Sequence, residues 1–181
     1  MREIEIKARV INRDALLAKL KSTGIQLGAA VKQRDVVYNE PGATEASSLV
    51  GYNFLRVRIQ NDEKATFTLK QTIKNLDKLE HETDIANADE MITMMQLMHY
   101  ELFNDLTKVR RKAKFGEYEV CFDEVENLGT FIEVEKLCPD DVDGDVVREE
   151  LWQLFEDLGI TREEEVTQGY DVLMRQKLAN G

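Results

Sequence analysis

Glu3-Ile4-Glu5-Ile6-Lys7-Ala8-Arg9-Val10 sets a charged side chain at every odd position and an apolar one at every even position. A β-strand throws successive side chains to opposite faces, so this octet is a strand with one ionic face and one greasy face. The same period of two returns along the chain. Asn53–Gln60 places Arg56 and Arg58 against Leu55, Val57 and Ile59. Thr66–Thr72 sets Thr66, Thr68 and Lys70 against Phe67 and Leu69, and Leu79–Ile85 gathers Glu80, Glu82 and Asp84. Thr107–Ala113 carries Lys108, Arg110 and Lys112 on one parity. Glu117–Asp123 carries Glu117, Glu119, Cys121 and Asp123, and Phe131–Glu135 carries Glu133 and Glu135; Arg34–Tyr38 is a weaker eighth stretch.

Helical spacing fills the intervals. Asn12–Thr23 has Leu16, Leu17 and Leu20 at a 3.6-residue period, with Asn12 as the N-cap and Gly24 as the stop. Ala88–Phe103 repeats the period through Met91, Met94 or Met95, Leu97 or Met98, and Leu102. Pro139 and the acidic run 140–145 open a third helix through Leu158, and Thr167–Leu178 makes a fourth. Asn39–Val50, with Pro41-Gly42 and Ser47-Ser48, reads as a loop. No repeat or linker divides the 181 residues, so a single domain over 1–181 is expected.

With 43% hydrophobic residues the chain can build a core, and with a net charge of −11 it is a poor general binder of nucleic acid or anionic membrane. No apolar run approaches the roughly 20 residues of a membrane-spanning helix. Met1-Arg2-Glu3 enters the first strand without the apolar core of a signal peptide, so a cytoplasmic location is expected. Cys121 and Cys138 have no CxxC spacing and the only histidines are His81 and His99. A metal here must therefore sit on carboxylates, which suits Mg²⁺ or Mn²⁺.

A single amphipathic strand is ordinarily solvated on its charged face. Here the charges are sorted by sign: carboxylate pairs at Glu3/Glu5, Glu80/Glu82 and Glu133/Glu135, cations at Arg56/Arg58, Lys70 and Lys108/Arg110/Lys112. About eight strands suffice to close a sheet on itself. The expected fold is therefore α+β, a closed or nearly closed antiparallel β-barrel of about eight strands, ionic faces inward and helices packed outside. So many charges inside need water, partners or a ligand. Arg and Lys suit phosphate oxygens and acid pairs suit a hard divalent cation, which together describe a triphosphate ligand.

The same residues resemble the CYTH family, the triphosphate tunnel metalloenzymes. Glu3-Ile4-Glu5-Ile6-Lys7 is similar to its ExExK signature, Arg56-Val57-Arg58 to its RxR strand, Thr68-Leu69-Lys70 to its lysine strand and Lys108-Val109-Arg110 to a KxR strand. Asp123 to Glu135, DEVENLGTFIEVE, resembles its D-x-V-x-x-L-G-x-F-x-E-x-E block, and Gly169-Tyr170-Asp171-Val172-Leu173 the closing helix of the class IV adenylyl cyclase branch. The resemblance implies that Glu3, Glu5, Asp123, Glu133 and Glu135 hold one or two Mg²⁺ or Mn²⁺ ions. It implies that Lys7, Arg56, Arg58, Lys70, Lys108 and Arg110 grip the triphosphate, and that Tyr38 with Lys70 forms a water-activating pair. Glu80 and Glu82 orient the cations or, equally well, are their salt-bridge partners.

The activity implied is conversion of ATP to cyclic AMP and pyrophosphate. Hydrolysis of tripolyphosphate or thiamine triphosphate is the alternative, kept open because the additional His-Phe motif of some cyclases has no counterpart in Met1-Arg2. A non-catalytic triphosphate binder is a third. The partner is a small-molecule triphosphate, not nucleic acid or membrane, with homodimerisation left open.

Overall fold

The computed structural model describes residues 2–41, 53–74, 77–139 and 141–180; the expected loop at 39–50 lies outside them from residue 42 onward. Among the described residues eight strands and four α-helices follow one another: β1 (Arg2–Arg9), α1 (Arg13–Thr23), β2 (Val31–Asn39), β3 (Asn53–Gln60), β4 (Lys64–Lys74), β5 (Asp77–Ile85), α2 (Ala88–Leu97), β6 (Glu101–Phe115), β7 (Tyr118–Val125), β8 (Gly129–Cys138), α3 (Gly144–Asp157) and α4 (Tyr170–Asn180). Every alternating stretch of the sequence is a strand. No helix among the described residues is long and apolar enough to cross a membrane.

The chain divides into two compact units, Met1–Val31 with Val109–Gly169 and Lys32–Lys108 with Tyr170–Gly181. Strand neighbours run β1-β8-β7-β6 in the first unit and β6-β2-β3-β4-β5 in the second, the 15-residue β6 passing from one to the other at Lys108–Val109. The β1–β8, β7–β8, β2–β3, β3–β4 and β4–β5 ladders are all antiparallel. The hydrogen-bonded series ends at β1 and at β5. Among the described residues it is therefore an open series of eight, and the α+β expectation holds without a ladder that closes it.

In the first unit the apolar parity packs as the octet requires. Ile4, Ile6, Ala8 and Val10 join Val120, Phe122, Ile132 and Val134 in one cluster, covered by Leu16 and Leu20 of α1 and by Val147, Leu151, Trp152 and Phe155 of α3. Burying side chains such as Leu151 and Phe155, both at 0% exposure, stabilises the unit by roughly 1.5–3 kcal/mol each. Helix α1 starts where Asn12 accepts a hydrogen bond from the Ala15 amide and stops at Gly24, whose φ of 87° lies in the left-handed region. Both cysteines are free and buried.

In the second unit Val36, Tyr38, Leu55, Val57 and Met95 form the apolar cluster, flanked by Phe67, Leu69, Met91 and Ile92, so α2 covers the uncharged face of β2, β3 and β4. The sequence extends this helix to Phe103; the structure ends it at Leu97 and starts β6 at Glu101. His99 at φ 65° breaks the helical path, and the Tyr100 amide bonds back to the Met95 carbonyl. Periodicity overruns such a boundary because Leu102 also falls in helical phase.

Candidate active site

Register decides what the ionic face of the first unit brings together. Glu5 of β1 lies opposite Glu135 of β8, and Glu135 lies opposite Glu119 of β7, which makes a row of three carboxylates across three strands. One oxygen each of Glu3, Glu5 and Glu135 lies within 4.8 Å of the others, and Glu119, Cys121 and Glu135 form a second such group. Glu135 belongs to both. Burial, then the charge of Glu3 and the hydrogen bond with Glu119, push its carboxyl up to about 8. Burial also works on Glu119, but the Lys112 ammonium and the proton that Glu135 shares with it hold this carboxyl below its usual range. Glu3, Glu5 and Glu135 bring three hard oxygen donors together, a donor set that fits a divalent cation of the Mg²⁺ or Mn²⁺ kind.

The next rows are neutralised from within. Lys7 lies opposite Glu133, with Nζ 3.9 Å from its carboxylate. Arg110 donates from Nε to Asp123 at 2.7 Å and from Nη2 to both Asp123 and Glu133. Burial disfavours the guanidinium, yet these two carboxylates outweigh it and bind its proton more firmly. Of the five expected metal ligands, then, the structure groups Glu3, Glu5 and Glu135, and it ties Asp123 and Glu133 to Arg110. Glu119 was legible in the sequence only as a residue of the right parity, and the β7–β8 register is what sets it beside Glu135. Burial drives the Cys121 thiol up to about 12, so it is no nucleophile at neutral pH.

The second unit carries the other cations in three parallel rows. Asp35, Arg58 and Thr66 make one, and Arg58 donates from Nε and Nη2 to Asp35 at 2.7 Å each. Burial pushes Asp35 up, but Arg58 more than offsets it and holds the carboxyl below its ordinary range. Arg56, Thr68 and Glu82 make the second row: Arg56 donates to Thr68 at 3.2 Å, Thr68 donates to Glu82 at 2.8 Å, and Arg56 Nη2 stands 3.6 Å from Glu82. Arg56 Nε is buried with no hydrogen-bond partner among the described residues. Phe54, Lys70 and Glu80 belong to the third row, with Lys70 Nζ 2.8 Å from Glu80. Glu80 and Glu82 are thus salt-bridge partners of Lys70 and Arg56. Lys108 is buried, with its ammonium 4.9 Å from the Tyr170 ring centroid at the start of α4.

Tyr38 and Lys70 are not brought together. Tyr38 packs in the apolar cluster with Leu55, Val57 and Met95, while Lys70 shares the opposite parity with Arg56 and Arg58. A strand cannot present neighbouring parities to one face, so the water-activating pair expected from the resemblance is not formed.

Strands that sort carboxylates and cations onto ionic faces, with helices packed on their apolar faces, define an α+β protein with charge-sorted strand faces. Residues 1–170 match the CYTH domain, and the chain belongs to the CYTH family. A Methanocaldococcus jannaschii protein named "Putative adenylate cyclase" is 25% identical over 175 residues, covering 94% of this chain and 97% of its own. Among solved structures, a Pyrococcus horikoshii protein superposes with a TM-score of 0.79 at 22% identity, covering 95% of this chain and 99% of its own. A Hippeastrum protein described as a "putative adenylyl cyclase" with a dominant triphosphatase activity superposes with a TM-score of 0.67 at 18% identity, covering 97% and 96%.

Proposed function

We propose that this chain is a divalent-cation-dependent enzyme acting on a small-molecule triphosphate as one CYTH domain, converting ATP to cyclic AMP and pyrophosphate. The observation that supports this most is the convergence of one oxygen each of Glu3, Glu5 and Glu135 within 4.8 Å, a set of hard oxygen donors of the kind a divalent cation takes. Glu3, Glu5 and Glu135 hold the cation. When bound, it withdraws charge from phosphate oxygens. Arg56, Arg58, Lys70 and Lys108 take phosphate oxygens of the substrate, with Lys7 and Arg110 supplying further positive charge. Phosphoryl transfer of this kind is positioning and charge neutralisation, which is what these residue types provide. The ribose 3′-hydroxyl attacks the α-phosphorus, pyrophosphate leaves, and the hydroxyl proton passes to solvent.

Hydrolysis is the second reading. It is favoured by the triphosphatase activity of the structurally similar Hippeastrum protein, and it uses the same residues with water attacking the γ-phosphorus. Product analysis decides between the two. Incubation with ATP and Mn²⁺ is expected to give cyclic AMP and pyrophosphate in equal amounts. Orthophosphate from ATP or tripolyphosphate establishes the hydrolase, and tight binding with neither product overturns both.

A further inference from the structure

Helix α2 is apolar on more than the side it buries. Met91, Ile92 and Met95 pack on Val36, Leu55 and Val57 in the core of the second unit, with Met95 1% exposed. Met94, Leu97 and Met98 follow at spacings of three and four residues, which makes them neighbours on one helical face. The Met98 amide donates to the Met94 carbonyl at 2.9 Å, so the helical spacing carries through the cap. All three are exposed, Leu97 at 73% and Met98 at 55%, and so is Leu102 at the start of β6. These are four of the eight large apolar side chains exposed among the described residues. A helix that is apolar all round is ordinarily covered all round.

The charge around this face has one sign. From Leu79 to Thr107 the chain carries seven acidic residues and no lysine or arginine. Cations reaching this stretch from other strands are held by its acids: Arg34 by Asp105, Lys64 by Asp84, Arg56 by Glu82 and Lys70 by Glu80. Those pairs involve neither Glu90 nor Glu101, both exposed. Glu90 precedes Met94 by four residues and shares its face. Four of the six methionines of the chain fall between 91 and 98, and such flexible, polarisable side chains adapt to whatever surface is laid on them.

We infer that the open face of α2 is a docking surface for an amphipathic helix of a partner protein, apolar along one stripe and rich in Lys or Arg beside it. The inference is independent of the triphosphate reading. Laid along α2, such a helix packs its apolar stripe on Met94, Leu97 and Met98 and sets its cations against Glu90 and Glu101. A second copy of the chain is the poorer occupant. It would set acid against acid, and four side chains fall short of the roughly 800 Å² per partner of a stable dimer.

The test titrates the full chain, its methionine methyl groups labelled with ¹³C, with a synthetic Leu-Lys peptide that forms an amphipathic helix. A scrambled peptide of the same composition and a Leu-Glu helix are the comparisons. The Leu-Lys helix is expected to shift the Met94 and Met98 methyl resonances and to bind more weakly as salt rises, while neither comparison peptide shifts them. Leu97→Lys, at a side chain exposed enough to leave the fold intact, lowers the affinity at least about tenfold. Glu90→Lys lowers it too and lessens the salt dependence. Unmoved Met94 and Met98 methyls, equal binding of the scrambled or the Leu-Glu peptide, or unchanged affinity in a folded Leu97→Lys protein overturns the proposal. A dimer in sedimentation that Leu97→Lys abolishes assigns the face to a second copy and overturns it as well.

Discussion

Glu5 and Glu135 face each other directly across the β1–β8 ladder, carboxyl against carboxyl, with an oxygen of Glu3 in the same group. Opposed carboxylates destabilise a ladder unless something neutralises them.

The first prediction concerns pH. With its folded-state carboxyl pushed up to about 8 from an ordinary 4.5, Glu135 holds a proton in the native state that the unfolded chain releases across this window. The metal-free protein therefore loses stability as pH rises from about 4.5 to 8. Glu135→Gln is expected to remove this component of the slope, and Mn²⁺ to raise Tm more at pH 8 than at pH 6. Thermal melts across pH, with and without the ion, check both.

Turnover is the second. Glu5→Gln and Glu135→Gln should each lower kcat by at least about 100-fold, the scale on which removing one stabilising group acts, with unchanged far-UV circular dichroism. Wild-type activity in both variants would falsify the metal assignment.

A third prediction separates Asp123 from the carboxylate group. Asp123 is fully buried against Arg110, and removing one partner of a buried pair costs about 3–5 kcal/mol. Arg110→Met should lower the denaturation midpoint strongly. Asp123→Asn should cost stability while changing Mn²⁺ affinity far less than Glu135→Gln does. A larger loss of ion affinity in Asp123→Asn would return Asp123 to the metal ligands.

Asp35 supplies the fourth. Because Arg58 holds its carboxyl below the ordinary value of 3.8, the pair's contribution is present above that pH and disappears as the pH falls below it. Asp35→Asn should flatten this part of the acid limb of the stability profile; an unchanged limb would contradict the pairing.

Tyr38 and Lys70 make the last. Since Tyr38 is 1% exposed inside the apolar cluster, Tyr38→Phe should leave kcat within about twofold while Tyr38→Ala loses about 3–5 kcal/mol of stability. Lys70→Ala, by contrast, should cut kcat/KM for the triphosphate. A large kcat loss in Tyr38→Phe would mean that the hydroxyl takes part after all.

Strand alternation made much of this legible in advance. Ile4, Ile6, Val120, Phe122, Ile132 and Val134 are core residues, as their parity requires, because a period of two leaves no freedom over which face a side chain takes. The same rule, applied across β2, β3 and β4, separates Tyr38 from Lys70. The weaker alternation of Arg34–Tyr38 hid this, since Val36, Val37 and Tyr38 are all buried. The boundary at His99 was also hidden, because a left-handed backbone at a non-glycine residue leaves no mark in hydropathy.

The sequence by itself determined the strands, their ionic faces and the kinds of charge each carries, because these follow from local geometry and side-chain type. Tertiary structure alone decided which charges meet. Register set Glu135 between Glu5 and Glu119 and gave Asp123 and Glu133 to Arg110. Register is a relation between strands far apart in the chain, fixed by how their apolar faces pack, and no single strand records it.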